Sequence, residues 1–159
     1  MEKVQPFLIG KEEGQAIWFL GSLTFVKASS ESTGGSLGLV EQIIPAGFAS
    51  PYHVHHNEDE SFYLIEGEAT FICDGKKVTA RAGDFVFGPR EVPHGFRIEG
   101  SSPARILLWT NPAGFEGFVT EVGEPATKLA LPEPTPPDIG RLVTIAAKYG
   151  IDILGPLPA

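Results

Sequence analysis

The sequence predicts an all-β fold, a small barrel or sandwich, followed by a short helical C-terminal extension. Its 159 residues are typical of one domain. From about residue 16 to 110, short strand-like segments alternate with glycine, proline and aspartate, and many short strands at such spacing are typical of a barrel or sandwich. The predicted strands are residues 18–28, 37–44, 52–55, 61–65, 69–73, 77–80, 85–87, 95–98 and 106–110.

Turn residues support this series of strands. Asp74-Gly75 is typical of a two-residue type I′ hairpin, because both central positions of that turn need positive φ. Thr33-Gly34-Gly35 indicates a flexible loop, and no internal repeat is visible. We therefore expect one barrel domain over residues 1–110, including its N-terminal strands, with residues 111–159 as an extension that packs on it within the same domain.

The composition changes after residue 110. Asn111-Pro112 resembles an N-cap followed by proline at the first helical position, and Gly123 would end that helix. Residues 131–137 contain four prolines and predict an extended linker, after which Asp138 caps a second helix ending at Gly150. Residues 151–156 are too apolar to be left in solvent. The first helix presents one apolar face: Phe115, Phe118, Val119 and Val122.

The sequence leaves three positions open for these helices. They can pack across the barrel mouth, cover its outer face, or swap onto a second subunit. Covering exposed apolar strands is the more common use of such a helix, and we favour it over a lid that gates substrate.

Charge and composition exclude several partners. The net charge of −8, with no basic cluster to offset it, argues against nucleic acid. The chain begins Met1-Glu2-Lys3, and its longest early apolar run is residues 16–20, so neither a signal peptide nor a membrane span is expected. The single cysteine, Cys73, fits a reducing compartment and reads as a structural thiol. We expect a cytoplasmic protein.

Three histidines and a glutamate form the candidate site. His53 and His55 are two apart, so in a strand their side chains share one face. Glu60 lies an odd number of positions beyond His55, and the polar, turn-prone residues 56–59 predict that it comes from the next strand. His94 begins another alternating row after a proline-bounded turn. We expect these four side chains to converge and His56 to point away, as a surface or supporting group.

The four side chains have the chemistry of a metal site. A glutamate on an otherwise apolar strand face is costly to bury unpaired, and a cation would remove that cost. Nitrogen and oxygen ligands without thiolate suit a divalent transition metal, one of Fe, Mn, Co, Ni, Cu or Zn. The predicted ligands are His53, His55, Glu60 and His94.

These residues resemble the two motifs of the cupin superfamily. Gly47, five residues, His53-x-His55, four residues, Glu60, six residues and Gly67 match the first motif, and Gly83, five residues, Pro89 and then His94 resemble the second. Glu91 stands where the second motif usually has glycine, and Ile98 where it often has asparagine. The resemblance implies a double-stranded β-helix, the cupin or jelly-roll barrel, with a metal inside.

Within the superfamily, most of the chain is similar to single-domain bacterial cupins grouped with quercetin 2,3-dioxygenase. Segments that carry this similarity include residues 53–67, 86–94 and 148–156. The resemblance implies an enzyme in which the metal binds a flavonol hydroxyl, dioxygen cleaves the ring, and Glu60 acts as ligand and general base. Because many cupins dimerise through their sheets, it also implies a homodimer.

Aromatic side chains could line a pocket for a flat substrate, although any small barrel also fills its core with them. Core packing is the more common role, so this part of the prediction rests on composition alone. The candidates are Phe48, Phe62, Phe85, Phe87, Phe96 and Trp109.

Three functions remain open on the sequence. The first is a metal-dependent dioxygenase of a flavonol such as quercetin or a similar enolisable aromatic substrate. The second is a metal-dependent isomerase, epimerase or lyase of a small hydroxylated substrate, for which oxygen does not matter. The third is a non-catalytic small-molecule binding module. A thiol dioxygenase is disfavoured, because cupins of that kind usually use three histidines without the glutamate.

Overall fold

The structure, a computed structural model, describes residues 3–159; Met1 and Glu2, with which the predicted barrel domain begins, lie outside it. Strands dominate this range and helices occur mainly after residue 114. The elements are β1 (Gln15–Phe19), β2 (Ser22–Ala28), α1 (Ser30–Thr33), β3 (Gly38–Ile44), β4 (Tyr52–His55), β5 (Asp59–Glu66), β6 (Glu68–Cys73), β7 (Lys76–Arg81), β8 (Phe85–Gly88), β9 (His94–Ile98), β10 (Ala104–Asn111), α2 (Phe115–Val122), β11 (Glu124–Pro125), α3 (Ile139–Lys148) and β12 (Ile151–Gly155).

Two antiparallel sheets face each other across the core. One has seven strands in the order β11-β1-β2-β3-β10-β5-β8, and the other has five in the order β12-β4-β9-β6-β7. Neighbouring strands distant in sequence, such as β3 beside β10 and β4 beside β9, give the jelly-roll topology. The predicted all-β barrel with a helical C-terminal extension is confirmed.

Alternation along the strands places apolar side chains inside. Strand β3 buries every second residue, and the buried set includes Val40, Gln42 and Ile44. An aromatic cluster fills the middle of the barrel, where the Phe62 ring lies 4.9 Å from Phe71 and 5.8 Å from Phe96 between centroids. The inward side chains of both sheets thus form one core between them.

The turns show where sequence patterns predict the chain well and where they do not. Asp74 and Gly75 have φ of 49° and 74°, so the predicted type I′ hairpin is present. The single strand predicted over residues 18–28 is wrong: it is two strands joined by Leu20 and Gly21, at φ of 48° and 81°. Leucine rarely adopts positive φ, so the apolar run hides the turn.

The C-terminal extension combines helices with a strand. Asn111 does not cap a helix as predicted, because it still pairs with Asp59 in the sheet; α2 begins at Phe115. Asp138 caps α3 as predicted, its carboxylate accepting a hydrogen bond from the Arg141 backbone N–H at 3.0 Å. The apolar tail becomes β12, which pairs with β4.

Both long helices pack over the open end of the barrel. Phe118 of α2 meets Phe19 of the barrel at 5.7 Å between ring centroids, and Leu142 of α3 is buried. Within this chain the helices lie across the mouth, where Phe115, Phe118 and Leu142 line a cavity, so the outer-face position favoured by the sequence is wrong. No helix within residues 3–159 has the length and apolar character needed to cross a lipid bilayer.

Candidate metal centre

Three strands from two sheets bring the four predicted ligands together. Strand β4 supplies His53 and His55, and His94 of β9 lies directly opposite His53 in register. Glu60 reaches them from β5 in the facing sheet. One ligand atom from each of the four residues lies within 4.8 Å of the others.

The Glu60 carboxylate lies at the centre of the three imidazoles. Its Oε2 is 2.6 Å from His94 Nε2, 2.9 Å from His55 Nε2 and 3.8 Å from His53 Nε2. His55, Glu60 and His94 are almost fully buried, whereas the His53 side chain is 13% exposed. All three Nε2 atoms therefore face one point.

The outer ring nitrogens hold the imidazoles in this orientation. His53 Nδ1 donates to the Pro51 carbonyl at 2.8 Å and His94 Nδ1 to the Val92 carbonyl at 3.1 Å. A carbonyl only accepts, so each Nδ1 carries its hydrogen, and in the neutral imidazole Nε2 is the nitrogen whose lone pair can bind a metal. Such outer hydrogen bonds commonly set the tautomer of metal-binding histidines.

The residues present fit a divalent transition metal. His55 Nε2 is buried and has no hydrogen-bond partner of acceptable geometry among residues 3–159. An unpaired buried nitrogen costs free energy, and a metal bond would satisfy it. Three imidazole nitrogens and one carboxylate oxygen, without thiolate, are a donor set used by several first-row metals.

Without an ion, the carboxylate and the imidazoles perturb each other's pKa values. Burial alone would lower the pKa of His55, but the charges of Glu60 and Glu58 and the hydrogen bonds to them raise it to about 10. Burial alone would raise the pKa of Glu60, yet the imidazoles around it hold that pKa well below its usual value. Burial lowers the pKa of His53. A positive charge at the centre of this site is therefore favourable.

Comparison with known proteins now identifies the family. Residues 40–110 match the family model described as Cupin domain. These residues of the barrel are therefore a cupin domain. Quercetin 2,3-dioxygenase of Bacillus subtilis (strain 168) is 28% identical to this cupin over 120 residues, which cover 76% of this chain and 35% of that enzyme. This cupin thus spans about a third of the length of that relative.

Two further relatives cover more of their own length. An uncharacterized protein of Methanocaldococcus jannaschii is 27% identical over 111 residues, 70% of this chain and 82% of that protein. A solved structure described as a predicted oxalate decarboxylase from Thermotoga maritima superposes with a TM-score of 0.60 at 21% identity, covering 67% of this chain and 99% of that chain. The superposition shows the shared fold.

The turn before His94 keeps the backbone shape that the cupin motif implies. Glu91, where the motif usually has glycine, adopts φ of 68°, a conformation that glycine adopts easily. Two contacts hold it there: its N–H donates to the His55 carbonyl at 2.8 Å, and its carboxylate lies 2.9 Å from His56 Nδ1. His56, exposed as expected, also contacts Asp152 of β12 at 2.8 Å.

An apolar cavity of about 50 Å³ adjoins the metal site. Of the four ligands, His53 and Glu60 line it, while His55 and His94 lie behind them. Helix α2 contributes Phe115 and Phe118, and α3 contributes Leu142. The cavity opens into a groove of about 1320 Å³, and both are lined by Leu20, Phe48, Ser50, Pro51, Leu142 and Ile153.

The aromatic pocket candidates divide into inner and outer residues. Phe48 and Phe96 line the cavity. The placement of Phe62 in the pocket is wrong, because it does not line the cavity and packs in the core, 6.2 Å from the His94 ring. The placement of Phe85, Phe87 and Trp109 in the pocket is also wrong: Phe85 and Phe87 are 56% and 52% exposed, and the Trp109 ring packs against Phe85 with centroids 5.9 Å apart. The registers Ser61↔Phe87 and Trp109↔Ser61 put these rings on the outer face of the sheet, opposite to Glu60.

Glu58 is a supporting residue that the sequence reasoning missed. Its Oε1 lies 2.9 Å from His55 Nδ1, and both side chains are buried. The sequence signal is a carboxylate three residues after a ligand histidine, but within the polar stretch 56–59 it reads as part of a solvated turn. His55 thus has a carboxylate where His53 and His94 have carbonyls, which favours its basic, metal-binding form.

Proposed function

We propose that this cupin is a metal-dependent dioxygenase of a flavonol such as quercetin, or of a similar enolisable aromatic substrate. The observation that carries the proposal is that Glu60 both lies among the three imidazoles and lines the cavity. The similarity to the Bacillus quercetin 2,3-dioxygenase supports the same reaction.

The residues of the site have two roles, holding the metal and deprotonating the substrate. His53, His55, His94 and Glu60 would hold a divalent metal, which when bound lowers the pKa of a substrate hydroxyl and supplies redox chemistry with dioxygen. The Glu60 carboxylate accepts the hydroxyl proton as a general base. The surrounding Phe48, Phe96 and Phe115 exclude water from the deprotonated substrate.

Oxygen uptake tests this proposal through Glu60→Gln. The amide keeps the shape and one oxygen ligand but cannot take a proton, so turnover should fall by about 100- to 10,000-fold. The measurement is oxygen-electrode uptake on a flavonol panel, with protein produced separately in Fe, Mn, Co, Ni and Zn media and its metal content determined. Glu66→Gln, an exposed carboxylate on the same strand, is the matched control. The proposal fails if every metal form leaves oxygen untouched.

The size of the inner cavity favours a second candidate function. Its volume of about 50 Å³ is far below the ~300–1,000 Å³ of sites that enclose a drug-sized ligand, so a flavonol must extend into the outer groove. A metal-dependent isomerase, epimerase or lyase of a small hydroxylated substrate would fit inside. In that case Glu60→Gln abolishes turnover and an anaerobic assay proceeds at the aerobic rate.

We also propose that the protein is a homodimer in which the outer aromatic face of the seven-stranded sheet is covered by a second copy. Phe85, Phe87 and Tyr63 (39% exposed) form an apolar aromatic surface of the kind enriched at protein interfaces. Phe87→Asp should shift the sedimentation coefficient to the monomer value. Val78→Asp, at a 50% exposed residue of the other sheet, is the matched control. A wild-type monomer at all concentrations contradicts the proposal.

A further inference from the structure

A row of buried, hydrogen-bonded side chains runs from the end of β1 through β2 to the wall of the cavity. Ser22 Oγ lies 2.6 Å from the Phe19 carbonyl oxygen and 2.8 Å from Thr24 Oγ1, and Gln42 Nε2 lies 3.2 Å from Thr24 Oγ1. Ser22, Thr24 and Gln42 are each 4% exposed or less. Ser22 and Gln42 line the cavity, whose other lining residues are apolar apart from Ser50, His53 and Glu60.

The donor and acceptor of each of these hydrogen bonds can be assigned in turn, starting from the Phe19 carbonyl. The Phe19 carbonyl only accepts, so Ser22 donates its single hydroxyl hydrogen to it. Thr24 must then donate to Ser22, which leaves Thr24 Oγ1 only its lone pairs for Gln42. The Gln42 amide therefore presents its nitrogen to Thr24, and the orientation of the whole amide is determined.

This orientation leaves the Gln42 amide oxygen free. No residue in the range 3–159 donates a hydrogen bond to it, yet it is not among the enclosed polar atoms without a partner. It therefore reaches open space, and for a side chain that is 4% exposed that space is the cavity. An acceptor held in an apolar cavity without a partner strongly favours a ligand that donates to it.

We propose that Gln42 determines substrate specificity by accepting a hydrogen bond from a second hydroxyl of the substrate, remote from the oxygen at the metal site. The inference rests on the proposed function, since it assumes that the substrate binds between Glu60 and the cavity wall. It narrows the substrate class to an apolar, ring-containing molecule with at least two separated hydroxyl groups. A substrate with a hydroxyl only at the metal would leave the amide oxygen unpaired.

Binding measurements separate this inference from the dioxygenase reaction. Isothermal titration calorimetry with zinc-loaded protein compares two matched sets: 3-hydroxyflavone against its further-hydroxylated relatives galangin, kaempferol and quercetin, and phenol against the three dihydroxybenzenes. We expect the wild type to prefer at least one compound with an extra hydroxyl by on the order of tenfold, the effect of one well-placed hydrogen bond. Oxygen uptake is recorded separately with the Fe, Mn, Co, Ni and Zn forms of the protein.

Substitutions at two cavity-wall residues test the role of Gln42. Gln42→Leu and Gln42→Met replace the amide with an apolar side chain of similar size, and both should abolish the preference while retaining affinity for the simpler compound. Ile44→Val, on the same strand and cavity wall, should change affinity for both members of a pair equally.

The two proposals fail in different ways. A preference that depends on Gln42, with no oxygen uptake, supports the specificity role and refutes the dioxygenase. Oxygen uptake with a preference unchanged in both Gln42 variants refutes the specificity role. The absence of any preference in the wild type, or of any binding in both compound sets, also overturns it.

Discussion

Replacing His94 with alanine is expected to abolish tight metal binding. The change removes the imidazole nitrogen that lies 2.6 Å from Glu60 Oε2 and opposite His53 across the strand pair. Loss of an outer hydrogen bond to a ligand typically lowers metal affinity by 10- to 100-fold, so loss of the ligand itself should lower it by more than about 100-fold. Metal content after dialysis, measured by mass spectrometry, should fall from near stoichiometric to near zero.

A thermal measurement provides a second readout of the same change. Metal that binds only the folded state stabilises it by about 2.7 kcal/mol at a free concentration 100 times its Kd. The melting temperature of the wild type should therefore rise on metal addition, and that of His94→Ala should not. Circular dichroism of both metal-free proteins verifies that the variant folds.

His56→Ala is the matched control for the ligand experiment. His56 adjoins His55 in sequence, but its exposed ring contacts Glu91 and Asp152 on the surface. Its removal keeps all four ligands and takes away only one of the two contacts that hold the turn at Glu91, so metal content should fall far less than in His94→Ala. Equal metal loss in both variants would mean that the effect comes from local unfolding, and wild-type metal content in His94→Ala would refute the site.

Much of the site could be predicted because few side chains bind metals and strand geometry is regular. Period-2 alternation puts His53 and His55 on one face, and the odd spacing to Glu60 requires a chain reversal, which the structure places at residues 56–58. The same rule could not sort the aromatic residues. Both faces of β8 and β10 carry apolar side chains, so alternation alone does not say which face is inside.

Other features depend on contacts that no local pattern contains. Leu20 takes a left-handed conformation because the paired strands on either side close the turn. Asn111 stays in the sheet because Asp59 pairs with it, which overrides its helix-capping preference. The free amide oxygen of Gln42 follows only from knowing which hydroxyls its neighbours engage. The metal ligands can be recognised from local sequence patterns, whereas the residues of the cavity wall are brought together only by tertiary contacts.

Replacing Phe62 with alanine is expected to cause the largest loss of stability. The ring is 1% exposed and contacts Phe71, Phe96 and His94, with centroids 4.9 to 6.2 Å away. Truncation of a buried phenylalanine costs about 3–5 kcal/mol through lost burial and the cavity left behind. A domain has roughly 5–15 kcal/mol of stability in total, so much of it would be lost.

Urea unfolding of metal-free protein measures this cost without a contribution from metal binding. The midpoint should fall with little change in slope. Phe7→Ala is the matched control, because this phenylalanine is 50% exposed and its removal should change stability by no more than about 0.5 kcal/mol. Phe62→Leu, which fills most of the space, should cost less than about 1.5 kcal/mol and remains measurable if the alanine variant does not fold. Equal midpoints for Phe62→Ala and Phe7→Ala would show that the aromatic cluster behind His94 does not stabilise the barrel. The strands alone would then have to hold the metal site in place.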